Sequence, residues 1–135
     1  MERIPSAPQS RVYRVLVIED NLDAVHMTCL LIRSLGHTVD YALNGFVALE
    51  SARRFKPDFV FLDIGLPGTD GIDVCRQFRR DPELMQVKIA ILTAYDSVRF
   101  REQARQAGCD HYFVKPLDPE ELTRLFGDLS ANKSA

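Results

Sequence analysis

The sequence feature that most limits the possible folds of this chain is a strict alternation of short apolar runs with longer segments of helical periodicity. The apolar runs are rich in β-branched and aromatic residues and lie at 12–18, 38–42, 59–62, 89–92 and 112–114. The helical segments lie at 22–35, 45–55, 70–81, 97–108 and 119–129. Such alternation predicts a parallel sheet with helices on both faces. Five units are too few for an eight-fold barrel, so we predict a doubly wound five-stranded α/β fold of strand order 2-1-3-4-5.

Length and composition indicate one globular domain. The chain has 135 residues, of which 46% are hydrophobic and 27% charged. We predict that residues 11–129 form this domain. Residues 1–10 contain two prolines and two serines, so we expect a flexible arm there, and we expect a flexible tail at 130–135. The three cysteines are widely spaced without a metal-binding pattern, which is typical of a reducing compartment.

Charge and hydropathy disfavour two classes of partner. The formal net charge is −2, so no basic excess is available to bind a nucleic-acid backbone directly. The apolar runs are far shorter than the roughly 20 residues that span a bilayer, and the first residues contain no apolar signal core. We therefore expect a cytoplasmic protein, monomeric or weakly dimeric, with no membrane contact and no direct nucleic-acid partner.

Polar residues follow four of the five predicted strands, and a sheet of this order brings them to one edge. The residues at these strand ends are Glu19 and Asp20, Asp63, Thr93 and Ala94, and Lys115. The three carboxylates would repel one another unless a cation neutralised their charge. A compact site of oxygen ligands suits Mg²⁺, for which Mn²⁺ could substitute.

These residue types predict phosphoryl transfer. With Mg²⁺ bound, Asp63 would stay ionised at neutral pH and could attack phosphorus as a nucleophile. Lys115 offers a compact positive charge to a phosphoryl oxygen, and the Thr93 hydroxyl and the Ala94 backbone N–H could donate hydrogen bonds to others. A site of this kind works by positioning and charge neutralisation.

Five stretches of sequence, in order and at the right spacing, resemble the receiver domain of two-component response regulators, the fold of the bacterial chemotaxis response regulator. They are VLVIEDN at 15–21, FLDIGLPGTDG at 61–71, ILTA at 91–94, AGCD at 107–110 and YFVKP at 112–116. The resemblance covers about residues 12–129 and implies a flavodoxin-like (βα)5 fold. The run at 64–68 is similar to that of receivers attached to hybrid sensor kinases.

The resemblance implies a phosphorylation-activated signalling domain that catalyses only its own phosphorylation and dephosphorylation. Asp63 would accept the phosphoryl group from a phosphohistidine on a histidine kinase or histidine phosphotransfer protein. Glu19, Asp20, Asp63 and the backbone carbonyl of Gly65 would hold Mg²⁺. Because Glu19 stands where Asp is common, its contact with the metal would run through water.

The same resemblance implies how the signal leaves the site. Lys115, in a cis peptide bond to Pro116, would contact the phosphoryl group together with Thr93 and the amide of Ala94. Thr93 and Tyr112 would form the switch pair, with Tyr112 moving inward after Thr93. We expect the fourth helix, fifth strand and fifth helix to change on phosphorylation and to regulate a downstream protein or attached domain.

The first helix has two apolar stripes, of which only one can face the sheet. We assign the stripe of Met27 to the core, together with Ala24, Leu31 and Leu35. The other stripe would then be exposed, and we predict that its residues Leu22, Val25 and Ile32 contact the phosphodonor.

Three alternatives remain open. The chain could be a receiver that signals by binding without phosphorylation. It could be a Mg²⁺-dependent phosphatase with an aspartyl nucleophile, although the second Asp that this class needs is replaced by Gly65. It could also bind a flavin mononucleotide, although Glu19 and Asp20 would repel a phosphate in the first loop.

Overall fold

The computed structural model describes residues 11–65, 70–94 and 97–134, and of residues 130–134 only the backbone. Within these ranges, five β-strands alternate with five α-helices. The elements are β1 (Arg14–Ile18), α1 (Leu22–Ser34), β2 (Thr38–Ala42), α2 (Gly45–Phe55), β3 (Phe59–Asp63), α3 (Gly71–Arg80), β4 (Lys88–Thr93), α4 (Val98–Gln106), β5 (His111–Val114) and α5 (Pro119–Ser134). The predicted arm at 1–10 lies outside the described residues.

The strands form one parallel sheet of order β2-β1-β3-β4-β5, which confirms the predicted fold class. β1 pairs with β2 on one side and with β3 on the other, so the direction of winding reverses at β1. The carboxyl ends of β1 and β3 therefore flank the crevice where ligands of such sheets bind.

The sheet divides the apolar core in two, as β3 illustrates. Phe59 and Phe61 pack in a cluster with residues of α1 and α5. Val60 and Leu62 pack on the opposite face with residues of α2 and α3. Because helices cover both faces, β3 has no polar alternation, and all five of its residues are buried.

Side-chain caps fix where four of the helices begin. Asn21, Asn44, Asp70 and Ser97 each accept a hydrogen bond from a backbone N–H in the first turn of the helix that follows. Such caps satisfy N–H groups that have no partner within the helix.

The prediction for the inner face of α1 was wrong for Met27, whereas Leu31 and Leu35 are partly buried and pack against the core as predicted. The structure buries Val25, Cys29 and Ile32 almost completely, whereas Met27 is 69% exposed. Val25, Cys29 and Ile32 are spaced i, i+4 and i+7, and their short or β-branched side chains let the helix lie close to the valines of β1 and β2. The predicted exposure of Val25 and Ile32 is therefore contradicted, while Leu22 is exposed as expected.

One further difference concerns the end of the last helix. α5 continues to Ser134, five residues beyond the predicted end at Leu129 and into the stretch assigned to a tail. In the preceding helix, α4, Ala104 is buried and Phe100 is 37% exposed. None of the helices in the described ranges combines the length and apolar character that crossing a membrane requires.

Candidate functional site

The carboxyl edge of the sheet brings the predicted acidic residues together. Glu19, Asp20 and Asp63 each place one carboxylate oxygen within 4.8 Å of the others. The register explains this, because Ile18 at the end of β1 pairs with Leu62, the residue directly before Asp63. Residues that follow paired positions on neighbouring parallel strands lie close together. The predicted cluster of three carboxylates is therefore present.

Glu19 is buried and uses both of its carboxylate oxygens. Oε1 accepts a hydrogen bond from Lys115 Nζ at 2.8 Å, and Oε2 accepts one from the backbone N–H of Asn21 at 3.2 Å. Burial raises the pKa of Glu19, the hydrogen bond from Lys115 works against this increase, and the nearby Asp63 adds to it. The main interactions of the Glu19 carboxylate are therefore its hydrogen bonds with Lys115 and Asn21.

Lys115 reaches back from the end of β5 across the acidic cluster. Its Nζ lies 3.6 Å from Asp63 Oδ2 in addition to its contact with Glu19. Burial opposes the charged form of Lys115, but the hydrogen bond with Glu19 and the charge of Asp63 together raise its pKa above the usual value. The peptide bond to Pro116 is cis, as the resemblance implied.

Asp63 is the last residue of β3 and is 8% exposed. Its Oδ1 accepts a hydrogen bond from the backbone N–H of Gly65 at 3.2 Å, which holds the carboxylate toward the turn that follows. Gly71 closes this turn, because its N–H donates to the carbonyl of Ile64. A Cβ at Gly71 would lie 2.6 Å from the backbone oxygen of Asp63, so only glycine fits. Sequence reasoning did not assign this role to Gly71.

The donor set fits a small divalent cation. All three acidic side chains offer carboxylate oxygens, which are the hard ligands that Mg²⁺ prefers. Lys115 Nζ lies 2.8 Å from Glu19 but 3.6 Å from Asp63, and Asp20 is exposed, so Asp20 and Asp63 are the carboxylates best placed to bind a metal directly. Gly65, the predicted carbonyl ligand, is exposed in the turn beside Asp63.

The remaining predicted residues surround this cluster. Thr93 ends β4 and is completely buried, and Ala94 directly after it is exposed at the edge of the sheet. The backbone carbonyl of Thr93 accepts a hydrogen bond from the N–H of Lys115 at 2.8 Å, which ties the ends of β4 and β5 together. Tyr112 in β5 is half-buried, and the guanidinium carbon of Arg101 lies 4.6 Å from the centre of its ring.

The predicted partner surface on α1 is reduced to one residue. Val25 and Ile32 are fully buried and cannot contact another protein. Leu22 is 45% exposed and lies one residue after Asn21, which bonds Glu19. Of the three predicted contacts, only Leu22 remains available beside the acidic cluster.

Comparison with known proteins agrees with this architecture. Residues 15–126 match the response regulator receiver domain, a range that includes all predicted site residues. The chain belongs to the response regulator receiver domain family.

Within the matched segment, curated relatives are identical to this chain at about a third of the positions. The DNA-binding response regulator MtrA of Mycobacterium tuberculosis is 37% identical over 109 residues, which are 81% of this chain and 46% of MtrA. The transcriptional regulatory protein ResD of Bacillus subtilis is 34% identical over 84% of this chain and 46% of its own length. The chain therefore spans about half the length of these relatives.

Solved structures show the same fold. A response regulator from Chloroflexus aurantiacus superposes with a TM-score of 0.82 at 29% identity, covering 90% of this chain and 99% of the other. The receiver domain of the sensor histidine kinase PA1611 from Pseudomonas aeruginosa has a TM-score of 0.77 at 33% identity, with coverages of 86% and 95%. That structure contains a magnesium ion coordinated in the active-site cleft.

Proposed function

We propose that this receiver domain is a phosphorylation-activated switch of a two-component phosphorelay and that Asp63 is its phosphoacceptor. The observation that supports this most is the position of Asp63, a buried carboxylate at the end of β3 with a lysine ammonium 3.6 Å away and a second acid, Asp20, beside it. This combination leaves a nucleophilic oxygen next to a lysine that can neutralise part of an incoming phosphoryl charge and next to a second carboxylate that could hold a divalent cation.

The proposed reaction moves a phosphoryl group from nitrogen to oxygen. A carboxylate oxygen of Asp63 forms a bond to phosphorus while the P–N bond of a phosphohistidine breaks. The electron pair of that bond leaves with the imidazole, which takes up a proton. The histidine belongs to a histidine kinase or histidine phosphotransfer protein, and Leu22 lies on the exposed surface that such a donor would approach.

The surrounding residues would stabilise the transferred group. Asp20, Asp63 and the Gly65 carbonyl would hold Mg²⁺, or Mn²⁺ in its place, with Glu19 contributing through water. The bound metal would neutralise negative charge on the carboxylates and phosphoryl oxygens. The side chain of Lys115 is flexible, and its Nζ already lies close to Asp63. Lys115 can therefore turn from Glu19 toward a phosphoryl oxygen on Asp63.

We propose that Thr93 and Tyr112 transmit the change to the face formed by α4, β5 and α5. The Thr93 hydroxyl and the Ala94 amide would donate hydrogen bonds to the phosphoryl group. Tyr112 would then move toward Thr93, and the altered face would regulate a downstream protein or an attached domain. MtrA is a DNA-binding response regulator of which the matched segment makes up 46%, which is consistent with an attached output domain.

The proposal is tested by intact-protein mass spectrometry after incubation with acetyl phosphate, with and without Mg²⁺. We expect a Mg²⁺-dependent gain of about 80 Da for the addition of one phosphoryl group. Asp63→Asn should not gain this mass. Asp58→Asn changes the aspartate directly before the first residue of β3, and this variant should gain the same mass as the wild type. A folded wild-type protein without any gain would favour a receiver that signals by binding alone.

A further inference from the structure

The Tyr112 ring is stacked beneath an arginine of the neighbouring helix. The guanidinium carbon of Arg101 in α4 lies 4.6 Å from the ring centre, within the range of a cation–π interaction. Arg101 is exposed, whereas Tyr112 is half-buried and packs against the core cluster that contains Ala104 of α4. This pair therefore joins an exposed side chain of α4 to a ring that is held partly within the core.

α4 has few other anchors in the core. Ala104 is the buried residue of the helix, Val98 is 86% exposed and Phe100 is 37% exposed. The buried side chains of this helix and its C-cap are alanines, which contribute little apolar area, so the contact of Arg101 with Tyr112 adds to what holds α4 against β5.

Tyr112 and Thr93 point to the same face of the sheet. Ile91 pairs with Tyr112 and Thr93 pairs with Val114, so the two side chains lie on adjacent strands two positions apart. Ile91 and Tyr112 both pack in the cluster on the α4 side, and Thr93 shares that face because alternate residues of a strand point the same way. A ring that moved toward Thr93 would leave the guanidinium of Arg101.

We propose that Arg101 is a positioning residue that holds Tyr112 against α4 in the unphosphorylated protein and so sets how readily the domain is activated. The inference rests on the proposed function, because it assumes that activation moves Tyr112 toward Thr93. Loss of the stacking would stabilise the active state relative to the inactive one. A ligand that favours the active state would then bind more tightly.

The test is a titration of the whole chain with beryllofluoride in the presence of Mg²⁺. Binding is monitored through the backbone amide spectra, which give the apparent dissociation constant. Arg101→Met keeps much of the side-chain volume but removes the charge. We expect it to lower the apparent dissociation constant of beryllofluoride about 2- to 5-fold, which corresponds to a cation–π interaction at a partly exposed site. Arg99→Met, which changes an exposed arginine on the same helix, should bind like the wild type.

A second pair of variants, Tyr112→Leu with and without Arg101→Met, separates the effect of Arg101 on the Tyr112 ring from a general effect on α4. In a Tyr112→Leu background no ring is present, so Arg101→Met should produce no further change in beryllofluoride affinity. The ring-proton shifts of Tyr112 in the free protein should also move in Arg101→Met and stay unchanged in Arg99→Met.

Equal affinity in Arg101→Met and wild type, or the same gain in the Tyr112→Leu background, would overturn the role of Arg101 while leaving the phosphoacceptor proposal intact. If the wild type binds no beryllofluoride at all, the proposed function itself is wrong and the role of Arg101 is overturned with it.

Discussion

Glu19 and Lys115 are 96 residues apart in the chain, yet Oε1 of Glu19 lies 2.8 Å from Nζ of Lys115 at the carboxyl edge of the sheet. The pair joins the ends of β1 and β5, which are not neighbours in the sheet. The ammonium group of Lys115 also partly neutralises Asp63. Removal of Glu19 or of Lys115 should therefore affect both stability and phosphorylation.

Lys115→Met should destabilise the domain. The substitution leaves Glu19 buried at 4% exposure without its cation, next to two other carboxylates. We expect a loss of about 1–3 kcal/mol in the free energy of unfolding, measured by urea denaturation. Added Mg²⁺ should raise the free energy of unfolding of Lys115→Met by more than it raises that of the wild type. Lys88→Met, an exposed lysine at the start of β4, is the matched control and should behave like the wild type.

Ile32→Ala tests the corrected orientation of α1. Ile32 is fully buried, so its truncation should cost about 2–5 kcal/mol in the free energy of unfolding. Met27→Ala on the opposite side of the helix should change that free energy by no more than about 0.5 kcal/mol. A larger loss for Met27→Ala than for Ile32→Ala would restore the original assignment.

Gly71→Ala should disturb the turn that follows Asp63. The added Cβ would lie 2.6 Å from the Asp63 carbonyl oxygen and from Cα of Ile64, so the backbone must shift. We expect a destabilisation of about 1–3 kcal/mol and slower phosphorylation by acetyl phosphate. Gly127→Ala in α5 meets no atom within 4 Å and should instead stabilise the domain by roughly 0.5–1 kcal/mol. Thermal unfolding of the two variants gives the comparison directly.

The buried His37 should make the domain less stable in mild acid. Its Nδ1 accepts a hydrogen bond from the backbone N–H of Tyr13 at 3.0 Å, and burial lowers the pKa of His37 below its usual 6.5. The unfolded chain therefore binds a proton more readily, so the stabilisation is present above about pH 6.5 and is lost as pH falls toward the folded pKa. The free energy of unfolding, measured between pH 8 and pH 5, should decline below about pH 6.5.

Two histidine variants test the source of this decline. His37→Asn keeps an acceptor for Tyr13 but cannot be protonated, so the slope of stability against pH should become smaller. A residual slope is expected because burial also lowers the pKa of His111. His26→Asn changes an exposed histidine and should keep the full slope. Identical slopes in both variants would contradict the assignment to His37.

The fold and the acidic cluster were predictable because topology alone positions them. The apolar run of β3 is as long as a strand buried on both faces requires, and parallel strands bring their carboxyl ends to the same edge. Glu19, Asp20 and Asp63 could therefore be placed together before any side-chain geometry was known. The caps Asp70 and Ser97 were predictable for a similarly local reason, since a cap depends on only a few adjacent residues.

The features that could not be predicted depend on packing between distant elements. Two stripes of α1 are equally apolar, and only the shape of the sheet surface selects Val25 and Ile32 over Met27. The long side chain of Lys115 could reach several groups, and its pairing with Glu19 depends on the exact positions of both strand ends. The stacking of Arg101 on Tyr112 likewise arises from the path of α4 over β5.

The most direct test of phosphorylation at Asp63 is chemical location of the acyl phosphate. The protein would be treated with acetyl phosphate and Mg²⁺, reduced with sodium borohydride and digested for peptide mass mapping. Reduction of an aspartyl phosphate gives homoserine, so the peptide with residue 63 should lose about 14 Da, and the loss should require Mg²⁺. Loss of this mass at another acidic residue, or at none despite an intact fold, would contradict the assignment of Asp63 as the phosphoacceptor.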